Sequence, residues 1–265
     1  MNAATASLTY DVPETATIAF QVAVAGCAER ETLTATVDGT AVEVTPVDGT
    51  GDQLSGRTHV VSAGAGRLLL SYTMEEASQA RADPVPTLRD RIHAVLPSRY
   101  CPSDRLTGYA ARFRGGGELA TVQRIVAEVH YSLVYDGAAS GPTTDAVDTL
   151  LAGRGVCRDY AHLTVALCRA VEVPARVVAV YAPGLSPMDF HLVAETAVDG
   201  AWLAWDATRL APRPSLIRVA TGRDAADVAF GTVLRGSATM TGLTVTAVTA
   251  GTLPDDDHEG PVVLG

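Results

Sequence analysis

The residue best placed for chemistry in this 265-residue chain is Cys157, which follows Arg154-Gly155-Val156 and opens a segment of helical spacing. Unpaired N–H groups and the helix dipole favour an anion at such a position, so a thiol there is disposed to act as the nucleophilic thiolate. Its base must come from another element. His162, five residues on, is turned about 140° around the helix and points away. Cys168, eleven residues on, returns to the same face but lies roughly 16 Å along the axis, beyond disulfide reach, and reads as core packing.

His191 is the stronger base because the turn Asp199-Gly200 fixes what it faces. A two-residue hairpin turn pairs Val198 with Ala201 and sets Val193 opposite Asp206. Side chains alternate, so His191, Val193, Glu195, Ala204 and Asp206 share one face, with Leu192, Ala194, Leu203 and Trp205 on the apolar face toward the helices. Asp206 is then the diagonal neighbour of His191, placed to hold Nδ1–H and leave Nε2 to accept a proton. Alone, His191 reads as a strand-start histidine and Asp206 as a turn residue. Together with a cysteine at a helix start they compose a Cys, His, Asp arrangement for nucleophilic catalysis.

Asp189 and Glu195 are alternatives for the third role, the first preceding the strand and the second beyond Val193 from His191. Tyr100 is a candidate donor to an oxyanion beside the Cys157 backbone N–H, against the reading of a packing aromatic. His59, His93 and His130 fall in no metal-ligand spacing and read as structural. Asp159, on the first helical turn, is a favourable charge near a helix N-terminus.

The elements that must position these groups fall into two units. From Ser7 to Met74 the chain alternates as strands do, and Asp38-Gly39 signals a hairpin, so residues 1–78 are expected to form a β-sandwich-like domain. Residues 79–90, with Pro84 and Pro86, read as a linker. Leu119, Val122, Val126, Val129 and Leu133 then recur at helical spacing after Gly115-Gly116-Gly117, which marks a helix start. No strand motif precedes these glycines and no lysine follows, so they are not a phosphate loop. A helix from Cys157 to about Val171, a strand over Arg176–Tyr181 and the hairpin described above give an α+β domain, helices on an antiparallel sheet, over residues 91–252. Residues 253–265, with Asp255-Asp256-Asp257, are expected to be an acidic mobile tail.

Composition narrows the function further. The chain is 47% hydrophobic and 19% charged, with 30 acidic against 20 basic residues and a net charge of -10. That balance repels phosphate backbones and anionic headgroups, so neither nucleic acid nor a membrane is expected as a partner. Every basic residue is arginine, which excludes P-loop, kinase and Schiff-base lysine chemistry. Cys27, Cys101, Cys157 and Cys168 form no C-x-x-C pair, which fits free thiols in a cytoplasmic protein.

Gly155-Val156-Cys157-Arg158-Asp159-Tyr160-Ala161-His162-Leu163, Val173-Pro174-Ala175-Arg176, Asp189-Phe190-His191 and Trp205-Asp206-Ala207-Thr208 resemble the bacterial transglutaminase-like proteins, also described as candidate cysteine proteases. The similarity reaches Pro97-Ser98-Arg99-Tyr100-Cys101 and Gly222-Arg223-Asp224-Ala225-Ala226-Asp227-Val228. The resemblance implies a papain-like core behind a β-domain, with Cys157 as nucleophile, His191 as base and Asp206 as its orienting partner, acting on a peptide, protein or small amide substrate with no metal or organic cofactor. Leu192-Val193 after His191 and Ala207 after Asp206 depart from the usual pattern; both bear on the cleft wall and leave the triad intact. Proteolysis, deamidation and transamidation all pass through the same thioester. A binding module that keeps the fold and a small-molecule amide-forming enzyme are the alternatives.

Overall fold

Two short turns of the same kind set the architecture. Asp38 and Gly39 have φ of +48° and +81°, Asp199 and Gly200 of +51° and +78°, and each pair closes a hairpin whose flanking residues are directly opposite, Val37 with Thr40 and Val198 with Ala201. Backbone twist at two successive left-handed residues matches the twist of the strands, which is why Asp-Gly is favoured there. The computed structural model describes residues 2–25, 28–47, 56–77 and 85–264. Cys27 and residues 79–84 of the expected linker lie outside them.

The N-terminal unit contains β1 (Asn2–Val12), β2 (Ala16–Phe20), β3 (Ala28–Val37), β4 (Thr40–Val42), β5 (Val44–Val47), β6 (Thr58–Ala63) and β7 (Gly66–Ala77). The second unit runs α1 (Leu88–His93), α2 (Thr107–Ala110), α3 (Glu118–Ser132), β8 (Val134–Tyr135), α4 (Ala146–Ala152), β9 (Arg154–Gly155) and α5 (Cys157–Ala170). It continues through β10 (Ala175–Tyr181), β11 (Phe190–Val198), β12 (Ala201–Trp205) and β13 (Ile217–Gly222), which form one antiparallel sheet in the order β12-β11-β10-β13. The expected linker ends inside α1, where Thr87 and Asp90 cap the helix reciprocally.

The boundary expected at residue 252 does not describe the chain. β14 (Gly231–Arg235) and β15 (Thr239–Thr249) return to the N-terminal unit, giving sheets in the orders β15-β1-β7-β3-β4 and β14-β2-β6-β5. Thr244, Thr246 and Ala247 face Ser7, Thr5 and Ala4 across the new edge, so the returning strand covers an edge that β1 would otherwise present to solvent. Tyr72 stacks on Tyr181 with centroids 6.1 Å apart, the Tyr181 hydroxyl donates to the Val22 carbonyl at 2.7 Å, and one apolar core runs from Leu8 and Leu70 to Val122 and Leu163.

The acidic C-terminal segment is likewise fastened over residues 253–264. Arg213 is fully buried and donates to both carboxylate oxygens of Asp256 at 2.7 and 2.9 Å and to the carbonyls of Ala204 and Gly260. The Ala204 N–H donates to the Val262 carbonyl at 2.7 Å, and Leu264 is buried against Val178, Val193 and Ala204. A run of aspartates reads as a solvated tail only while the guanidinium that meets it, some forty residues earlier, is out of view. Burial raises the Asp256 carboxyl, but Arg213 outweighs it and holds the group far below the usual carboxylate range. This contribution is complete above the unfolded carboxylate value of about 3.9 and is lost only as pH falls through the lower folded value. Replacing Asp256 with Asn leaves the buried Arg213 with only the exposed Asp257 carboxylate at 3.5 Å and is expected to cost about 3 kcal/mol near neutral pH, read as a lower urea midpoint; an unchanged midpoint would show the clamp to be idle.

Candidate active site

The nucleophile's position follows from packing at the start of α5. A Cβ added at Gly155 would lie 2.6 Å from Asp159 Cβ, so only glycine admits the close approach of β9 to the first helical turn. Asp159, itself fully buried, accepts from the Val156 N–H at 2.8 Å and satisfies one of the helix's unpaired donors. Residues 159–170 of α5 are buried, whereas Cys157 at its first position is half-buried and faces the cleft.

Opposite it, Ala194 pairs with Trp205 and Glu195 with Ala204, the register that the Asp199-Gly200 turn dictates. His191 Nε2 meets Asp206 Oδ2 at 2.8 Å, with each residue 2% exposed. The other oxygen, Oδ1, accepts from the Thr208 N–H at 2.9 Å and the Thr208 hydroxyl at 2.6 Å, so both oxygens of the buried carboxylate are occupied. Burial works against the charged imidazole, but Asp206 and then the Cys157 thiol outweigh it, and the His191 pKa is raised. Burial likewise pushes Asp206 up, and His191 with Thr208 brings it below its ordinary value. The nitrogens are reversed from the sequence expectation. Asp206 occupies Nε2, which leaves Nδ1 for exchange with the thiol.

Residues 107–207 match the transglutaminase-like superfamily. A solved structure from Cytophaga hutchinsonii, described as a candidate cysteine protease, is 29% identical and superposes with a TM-score of 0.84 over 100% of this chain and 97% of that one. The chain carries a transglutaminase-like fold, with the family match confined to residues 107–207. An uncharacterised protein of Mycobacterium leprae (strain TN) is 31% identical over 156 residues, 53% of this chain and 54% of that protein, so the chain spans about half the length of the curated relative it matches. The periplasmic domain of TgpA from Pseudomonas aeruginosa is 20% identical over 76% of this chain and 91% of that one, with a TM-score of 0.42.

Other residues named from the sequence lie apart from the transglutaminase-like thiol or in other roles. Tyr100 donates its hydroxyl to the Pro142 carbonyl at 2.8 Å and stacks on His162 with centroids 5.3 Å apart, so its phenol is committed away from an oxyanion. His162 accepts from the Ala225 N–H at 3.0 Å, and burial pulls its pKa down to about 3, a neutral core histidine. Asp189 is exposed and accepts from the Phe190 N–H; Glu195 is fully buried between Arg176 and Arg218. His130 pairs through Nδ1 with the Ala207 carbonyl. Among the described residues no group of three His, Cys, Asp or Glu side chains is disposed to hold a metal, and no helix is long and apolar enough to cross a membrane.

Tyr135 is the site residue that the sequence did not disclose. β8 and β9 form a parallel pair in which Tyr135 is opposite Gly155, two residues before the nucleophile, and the Asp136 N–H donates to the Gly155 carbonyl at 3.0 Å. Burial raises the Tyr135 pKa to about 12, with the Cys157 thiol adding to it and a hydrogen bond from the Cys157 backbone opposing it. A two-residue parallel strand leaves no pattern in a sequence.

Cys101 and Cys168 are fully buried, and burial pushes both thiols up to about 12. Iodoacetamide near neutral pH is therefore expected to modify Cys157 and spare these two, and His191→Ala to slow that labelling by about tenfold or more. Peptide mapping of the labelled protein checks this; labelling that ignores the His191 change would dissociate the thiol from the imidazole.

Proposed function

We propose that this transglutaminase-like chain is a cysteine-dependent enzyme that cleaves or exchanges an amide or peptide bond through a Cys157 thioester, with His191 as base and acid and Asp206 orienting it. The observation that carries the reading is the buried His191–Asp206 pair set beside a half-buried thiol at a helix N-terminus. The thiolate adds to the substrate carbonyl, forming the C–S bond and an oxyanion. The proton on His191 Nδ1 passes to the departing amine as the C–N bond breaks. Water or a second amine then adds to the thioester, His191 takes its proton, and the C–S bond breaks to return the thiolate. Asp206 keeps the imidazolium stable while it is buried.

The oxyanion forms at the mouth of α5, where the Tyr135 hydroxyl, which accepts from the Cys157 backbone N–H, is the donor in this reading. The substrate is a peptide, protein or small amide, and three free thiols among the described cysteines favour a cytoplasmic setting.

Incubation with a panel of acyl donors, with and without an added primary amine, followed by intact mass, tests the reading. A donor-dependent mass increase on Cys157 that turns over to acid or amide is expected, and its loss in Cys157→Ala. Asp206→Ala should lower kcat by about 10²–10⁴-fold. Tyr135→Phe should lower it by roughly 10²–10³-fold, far more than it changes iodoacetamide labelling, which builds no oxyanion. An accessible Cys157 inert to every donor and to iodoacetamide would favour a binding module that keeps the fold.

A further inference from the structure

On the other side of Asp206 lies a cavity of about 220 Å³ with no part in the chemistry above. It is lined by Gln123, Val126, Ala127 and Tyr131 of α3 and by Trp205, Arg209, His258 and Glu259. Arg209 is the unusual member. It has φ of +57°, a left-handed conformation that side chains other than glycine rarely adopt, and its N–H donates to the Asp206 carbonyl at 3.2 Å.

Its guanidinium lies 5.7 Å from the centre of the Tyr131 ring and makes no ion pair with any described residue, although Nε is buried and has no acceptor. His258 Nδ1 is also buried without a hydrogen bond, its nearest carboxylate oxygen being Asp256 Oδ2 at 3.4 Å, which Arg213 already engages. Gln123 is spent on the Glu259 carbonyl. Buried donors are ordinarily paired, and the Arg209 guanidinium, whose Nε has no acceptor, is an exception that calls for one.

The geometry points to a binding site for a small aromatic carboxylate, its anionic end on Arg209 and its ring against Tyr131. Guanidinium and carboxylate match in shape and charge. Tyr131, Val126 and Trp205 supply the apolar surround, and the volume is below the roughly 300–1,000 Å³ of sites for drug-sized ligands. Glu259 in the lining disfavours a second negative charge, so a monoanion is preferred to phosphate.

Titration of benzoate into the full chain, followed by calorimetry and by amide shifts of residues 205–209, is the test. It involves no turnover, so it succeeds or fails independently of the thiol chemistry. Saturable binding is expected, weakened by about tenfold or more in Arg209→Gln through loss of a charge-assisted pair. Ala127→Phe, which fills the cavity from the helix side and leaves Arg209 in place, should abolish it and covers the case in which the arginine variant does not fold. Benzyl alcohol and inorganic phosphate should each bind at least about tenfold more weakly than benzoate. No saturable benzoate binding, equal binding to Arg209→Gln, or equal binding of either control compound would overturn the assignment.

Discussion

A carboxylate and an imidazole that are both removed from water stay ionised only because each is the other's counter-charge, and the candidate site is organised around that condition. Either partner alone would leave a buried charge whose cost runs to several kcal/mol. Asp206 and His191 must therefore arrive together, from strands whose register cannot slip. A slip of one residue would carry Asp206 to the opposite face of the sheet. The left-handed Asp199-Gly200 turn forbids it, and Thr208 takes the spare carboxylate oxygen so that the remaining one is left to the histidine.

Cys157 is brought to this pair by a rigid element. α5 is buried along nearly its whole length, each large apolar side chain contributing roughly 1.5–3 kcal/mol, so Cys157 is placed by the same core that places the sheet. The Gly155–Asp159 contact fixes the angle at which the chain enters the helix, and the β8–β9 pair brings Tyr135 alongside. Groups carried on packed elements hold their geometry better than groups on loops. Next to the pair itself, the turn after Asp206 and the segment before His191 are irregular.

What the sequence disclosed was local. Two Asp-Gly turns, the helical spacing of residues 118–132 and 157–170, and the alternation along residues 190–205 each state their structure within a few residues, and the Cys157, His191 and Asp206 positions follow from those three. What it concealed was long-range. Residues 239–249 form a strand whose partner is β1, more than two hundred residues away, and nothing local in them says so. The aspartates at 255–257 look solvated until Arg213 is placed beneath them. The choice between Nδ1 and Nε2 depends on how far the imidazole must reach across the diagonal, a matter of side-chain torsion that register does not specify.

The absence of lysine, first met as an exclusion of chemistry, has a structural counterpart in how the buried cations are used. Arg169, 3% exposed, donates from Nε to the Ala94 and Ala175 carbonyls, from Nη1 to the Leu96 carbonyl and the Ser98 hydroxyl, and from Nη2 to the Arg223 carbonyl. It thereby ties α5 to the segment after α1, the start of β10 and the loop after β13. Arg213 joins Ala204, Gly260 and Asp256 in the same manner. An ammonium has three donors around a single atom and cannot span such separated acceptors, whereas the five N–H groups of a guanidinium lie in a fixed fork. Each of these arginines fastens a loop or terminal segment that borders the catalytic sheet, so the elements that hold Cys157, His191 and Asp206 are braced by carbonyl contacts that lysine could not reproduce.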